Sequence, residues 1–273
     1  MNRTVRIPVM TASLALLLFP AAGCNNLKAR DQLNKGVAAY KNARFEEAIG
    51  HFQTAVQLDP KLPMARLYLA TAYAQNVVSG DDPANIKAAD TAIDAYKGVL
   101  AEKADDVNAL KGIAALYFQT KRLPQAKEYN EKVISVDPHD ADAYYTIGVI
   151  DWTQALQNSI PVRTGLGLKD DGTPIKDKKA CADLQAKNQP LINEALENLR
   201  KALEIRPSDD PSMQYMNLVY RRKAADADCG DEGQAKADMA TAQDWVQKAM
   251  DARKANELKK ENATPGGTAQ PAK

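Results

Sequence analysis

The sequence predicts an all-α fold built from stacked helical hairpins. Three observations carry that prediction. Residues 107–140 (VNALKGIAALYFQTKRLPQAKEYNEKVISVDPHD) form a unit of 34 residues, with apolar and small side chains at helical spacing, a proline in the middle and an Asp-Pro pair near the end. Fragments of that unit recur on both sides of it. No β-rich segment interrupts them. A period of this length marks a repeat architecture, in which each helical pair buries its apolar face only against its neighbours.

Helix-ending signals at Asp59-Pro60, Asp137-Pro138 and Arg206-Pro207 set the register, because the residue before a proline is pushed out of helical geometry. Pro60 and Pro138 lie 78 residues apart, two units with ten residues over. Pro138 and Pro207 lie 69 apart, one unit with 35 over. About five helix pairs follow, over 29–62, 63–106, 107–140, 141–209 and 210–255. The first places Gly36 and Tyr40 on one helix and Ala48, Phe52 and Ala55 on the next. In the second, longer helices over 63–78 and 83–101 absorb the extra residues, with Asp82 as N-cap before a proline at the first helical position. The third carries Ile113, Ala114 and Tyr117, then Ala126 and Val133. The fourth begins at Ala141 and holds the large insert, 158–190. Pro161, Gly165, Gly167, Gly172 and Pro174 predict a long loop over 159–179, followed by a weak helix over 178–187 and a break at Pro190. The fifth, degenerate pair starts near Asp210. Residues 256–273 turn charged and then Pro/Gly-rich, which predicts a disordered tail.

The N-terminus reads as a separate object. Two arginines precede a mostly apolar run over 7–19, and small residues lead to Cys24. That is the layout of a secretory signal over 1–23; the run is too short to span a bilayer. Ala21-Ala22-Gly23-Cys24 resembles the lipobox of bacterial lipoproteins, in which the cysteine is acylated and becomes the first residue. The resemblance implies a lipid-anchored linker over 24–28, and Asn25 in place of Asp leans to the outer membrane, facing the periplasm. Plain secretion into the periplasm is the alternative.

Charge excludes some partners. The chain carries 36 Lys and Arg against 35 Asp and Glu, so no basic excess points to nucleic acid. No Walker loop, Gly-x-Ser-x-Gly or dinucleotide fingerprint is present, and neither His51 nor His139 has a cysteine or another histidine at metal-ligand spacing. Neither an enzyme nor a cofactor is expected. An alternative, a metal-binding or enzymatic accessory, would use the 159–179 insert and the acidic stretch 226–232. The order of acids there departs from a calcium loop, and a solvated turn is the simpler expectation.

The positions of Gly36, Tyr40, Ala48, Phe52, Ala55 and Pro60, and of their counterparts in later units, resemble the tetratricopeptide-repeat family across 29–255. Ala104 in place of a closing proline, Asn130 in place of an aromatic and Asp151 in place of a tyrosine are departures. The resemblance implies a right-handed superhelical solenoid whose first helices line a groove for a peptide or partner protein. Carried over, the groove positions include Val37 and Tyr40, Leu67 and Thr71, Lys111 and Phe118, Tyr145 and Trp152, and Leu218 and Arg221. Phe118 and Trp152 have a second reading as packing against a neighbouring helix. Arg221-Arg222-Lys223 reads either as a clamp for an acidic ligand or as a complement to a helix C-terminal dipole. In such a solenoid Cys181 and Cys229 both fall between the helices of consecutive units, which makes a disulfide between them reasonable in an oxidising compartment. The whole reads as an exported, lipid-anchored scaffold of the cell envelope, serving envelope assembly, secretion or pilus biogenesis.

Overall fold

The computed structural model describes residues 20–169 and 173–263. Among them stand ten α-helices in hairpin arrangement, as the sequence predicts. They fall into two compact units, residues 1–112 and 113–273, with the boundary inside one helix. Residues 1–19 of the expected secretory signal and 264–273 of the expected tail lie outside the described residues, and so does the side chain of Cys24. Among the described residues, no helix is long and apolar enough to cross a membrane.

Unit 1 contains α1 (Pro20–Lys41), α2 (Phe45–Leu58), α3 (Ala65–Ala74), α4 (Pro83–Glu102) and the start of α5 (Val107–Gln119). Residues 24–28, expected as a linker, belong to α1. The apolar stripe of α2, with Ala48, Phe52 and Ala55 fully buried, packs onto α1 and α3. Gly36 is what lets α1 approach. A Cβ there would lie 2.5 Å from the Phe52 ring. Gly112 plays the same part on α5, where a Cβ would meet the Tyr96 ring of α4 at 2.4 Å. The N-terminus of α4 is capped by Asp82, which accepts from the Asn85 amide at 3.0 Å. Buried Asn85 in turn ties back the preceding turn through Val78 and Gly80. The other helix of this pair, expected over 63–78, is shorter, because Met64 takes a left-handed φ of 68° and the chain turns out of the helix beyond Ala74.

Unit 2 holds the rest of α5, then α6 (Leu123–Val136), α7 (Ala141–Gly165), α8 (Lys178–Ile205), α9 (Asp210–Asp226) and α10 (Glu232–Ala263). Gly148 on α7 repeats the small-residue contact against Leu199 of α8, with a virtual Cβ at 2.7 Å. Three helices end in the same 6→1 hydrogen bond across a left-handed residue. Arg44 N–H reaches Ala39 O, Arg122 N–H reaches Tyr117 O, and Leu168 N–H reaches Arg163 O. The left-handed residues are Ala43, Lys121 and Gly167. Ala43 and Lys121 stand 78 residues apart, the same interval that separates the closing prolines.

The insert differs from its expectation. The expected loop over 159–179 is helical at both ends. The first helix of the pair runs on through Pro161 to Gly165, and α8 starts at Lys178 and passes through Pro190 without a break. Each proline removes one helical hydrogen-bond donor. Both sit on exposed faces, while the residues around them (Ser159, Arg163, Asn188, Ile192) are buried, and that packing holds the helices together. Similarly, α10 continues to Ala263, beyond the predicted start of the tail.

Candidate functional site

In unit 1 the first helices of successive pairs bring several expected groove residues into one concavity of about 570 Å³. Val37 and Tyr40 come from α1, Leu67 and Thr71 from α3, and Asn108 from α5. Local chemistry fixes two of them. The Tyr40 hydroxyl accepts from Gln75 Nε2 at 2.7 Å, and its ring meets Phe45 edge-on at 5.4 Å. Thr71 is positioned by its own helix, donating to Leu67 O at 2.8 Å, and it also receives the Tyr96 hydroxyl at 3.2 Å. Burial raises the Tyr96 phenol above its ordinary value. Phe52 forms the floor, with Tyr68 tilted against it at 5.7 Å. Lys111 is half-buried on α5 and does not line this concavity. The carry-over missed Lys41, Met64, Tyr68 and Asn108. Tyr68 adjoins Leu67 in sequence, so a one-residue wider window would have included it.

In unit 2 two of the expected groove residues are drawn into an aromatic cluster. Tyr145 and Trp152 of α7 both meet the ring of Tyr215 on α9 edge-on, at 5.6 and 5.4 Å. Trp152 therefore packs against a neighbouring helix. Burial, aided by Tyr215 and Asp209, pushes Tyr145 up to about 12. Tyr215 escaped the sequence reading, which named Leu218 and Arg221 on the same helix. Phe118 is 36% exposed. Arg221 donates to Asn217 on its own helix at 2.9 Å. Its neighbours are committed internally: Arg222 pairs with Asp226 and Lys223 with Asp238.

The long α7–α8 hairpin is locked by a polar network that no motif announced. Asp226, fully buried at the end of α9, accepts from Ser159, Asn188, Arg163 and Arg222. Arg163 is 2% exposed, and its remaining donors hold the carbonyls of Lys169 and Thr173 at 2.7 Å, so the turn after α7 hangs on one guanidinium. Cys181 and Cys229 form a disulfide that ties the start of α8 to the α9–α10 turn. Beside it opens a cleft of about 1030 Å³, whose walls include Ile175, Cys181, Cys229 and Met239. The acidic stretch 226–232 is thus a solvated turn only in part: Asp231 and Glu232 are exposed and Asp226 is buried. Asp226 is consumed by two arginines. Asp228 is raised to about 6 by burial and by Asp238 alongside, against the opposing pull of Lys223. Among the described residues no group of His, Cys, Asp and Glu is placed to hold a metal ion.

A second buried acid, Asp151, occupies the position where the repeat pattern wants a tyrosine. Its carboxylate accepts from Lys127 at 2.7 Å, and Lys127 also pairs with Glu194 at 2.8 Å. Burial raises Asp151 to about 6, the lysine contact notwithstanding. Lys127 loses some affinity for its proton through burial but gains more from its two carboxylates, and its pKa rises. The ion pair substitutes for the missing ring by joining α6, α7 and α8.

Small residues at helix crossings, a repeated hairpin turn and a concavity on the first helices define a helical-hairpin repeat protein. The tetratricopeptide-repeat pattern matches residues 33–98 and 87–148. The two matches together cover residues 33–148, and domains built of this repeat bind proteins and peptides and are typically not enzymes. No curated relative matches the sequence. Similar solved structures include MamA (residues 41 to the end) from Desulfovibrio magneticus RS-1, at 17% identity and a TM-score of 0.56, covering 84% of this chain and 96% of that one. An RS-1 MamA double mutant gives 16% and 0.57, with 85% and 97% covered. YrrB, a TPR protein with an unusual peptide-binding site, gives 14% and 0.52, with 86% and 96% covered. At these identities the likeness is one of fold.

Proposed function

We propose that this chain is a scaffold that captures a peptide or a partner protein's segment in the unit 1 concavity. The observation that carries the reading is the convergence of Val37, Tyr40, Leu67 and Thr71, from two successive first helices, on one apolar hollow above Phe52. Aromatic and apolar anchors in such a hollow supply the buried contact area that peptide recognition needs. Capture from an envelope extract by the immobilised protein tests it. Tyr40→Ala is expected to lose the partner while keeping its helical circular dichroism. Unchanged capture by that variant sinks the groove reading.

The scaffold works, on this proposal, from a lipid anchor at Cys24 on the periplasmic side of the outer membrane, in envelope assembly, secretion or pilus biogenesis. Support comes from the apolar run before Ala21-Ala22-Gly23-Cys24 and from the Cys181–Cys229 disulfide, a bond that persists in oxidising compartments. Radiolabelled palmitate should enter the wild type and not Cys24→Ser; equal labelling removes the anchor.

A further inference from the structure

Resting on the groove reading above, we propose that the unit 1 concavity takes an acidic peptide segment, which seats an apolar side chain against Tyr40 and Leu67 and sets a neighbouring carboxylate on Lys41. Lys41 is the one formally charged side chain in the lining; the rest is apolar, aromatic or neutral. Of the other cations on these helices, Lys35 pairs with Asp31 at 2.8 Å and Arg66 with Glu102 at 2.6 Å, and Lys28 and Arg30 lie outside the lining, nearer the start of α1. Lys41 is exposed and has no such countercharge among the described residues. As the last residue of α1 it also complements the helix C-terminal dipole, but that is worth about half a charge and leaves the mouth cationic. An apolar hollow with a single unmatched cation complements an apolar anchor beside an anion, and it brings like charges together when a basic segment approaches.

Met64 gives the hollow a compliant wall. It lies at the mouth, 47% exposed, with a left-handed φ of 68° and no side-chain cap on the helix it precedes. Non-glycine residues held in that region cluster at ligand clamps, and a thioether adapts to apolar side chains of varied shape.

The test is a selection of random dodecapeptides, displayed on phage, against the intact protein and its Lys41→Glu and Leu67→Asp forms. Circular dichroism checks folding, and Tyr40→Ala replaces Leu67→Asp if the latter unfolds. The wild-type pool is expected to be net acidic, with an apolar residue beside the acid. A synthetic member of that pool should bind Lys41→Glu roughly fivefold more weakly, as expected for one exposed ion pair, and should weaken further in high salt. A neutral or basic pool that still requires Leu67 overturns the acidic ligand and leaves the groove standing. A pool indifferent to the groove substitutions, or no enrichment at all, overturns both.

Discussion

Gly36 is a residue whose entire contribution is what it lacks. With a Cβ only 2.5 Å from the Phe52 ring, Gly36→Ala must push α1 from α2 or twist the ring. The expected loss is about 1–3 kcal/mol, read as a lower midpoint in urea. No change would mean that the hairpin spacing is set elsewhere. Asp226 is the opposite case, a charge whose removal strands others. Asp226→Asn takes from Arg163 and Arg222, both nearly fully buried, the carboxylate they share, and should cost about 3–5 kcal/mol. Gly36 was legible in the sequence because repeats print their small residues at a fixed interval. Asp226 was not: its partner Ser159 stands 67 residues away, and no local pattern links them. The sequence showed a cluster of acids near a glycine, and only packing distinguishes a solvated acid from one consumed by two guanidinium groups.

At the scale of elements, periodicity predicted the helices well and their interruptions badly. Pro161 and Pro190 read as breaks because proline removes a donor, yet α7 and α8 carry straight through them. The helices survive because Arg163, Asn188 and Ile192 on the buried faces give more than the lost hydrogen bonds cost, a tertiary effect invisible to local reading. The disulfide was legible, since both cysteines fall between helices of consecutive pairs. It closes a separation of 48 residues, so Cys229→Ser should lower stability by ~3–4 kcal/mol. A midpoint equal to that of the oxidised wild type would refute its structural weight. The ion pair joining α6, α7 and α8 makes a pH prediction. Asp151 titrates near 6 in the fold, above its ordinary value of 3.8, so its protonated form favours the native state. That stabilisation is present below about pH 4 and is lost as pH rises through about 6. Thermal melts across this window should show the wild type losing stability and Asp151→Asn losing less of it. Part of the slope persists through Asp228, which is shifted in the same direction. Parallel curves for the two proteins would contradict the assignment.

For the whole molecule, the repeat interval in the sequence led to the hairpin fold, and the groove residues carried over from the family divide by unit. Tyr40 and Leu67 meet in the unit 1 hollow. Tyr145 and Trp152 turn instead to Tyr215, because an aromatic on an adjacent first helix offers them edge-on contacts. A family position tells where a side chain starts, and its neighbours decide whether it is left available. That is why the account rests on unit 1. The direct measurement is photocrosslinking in the producing cell, with a benzophenone amino acid at position 40 in the hollow and, in a separate strain, at position 91, on an exposed face of α4. The account predicts discrete protein adducts from position 40 and none from position 91. Adducts from position 91 with none from position 40 would contradict it.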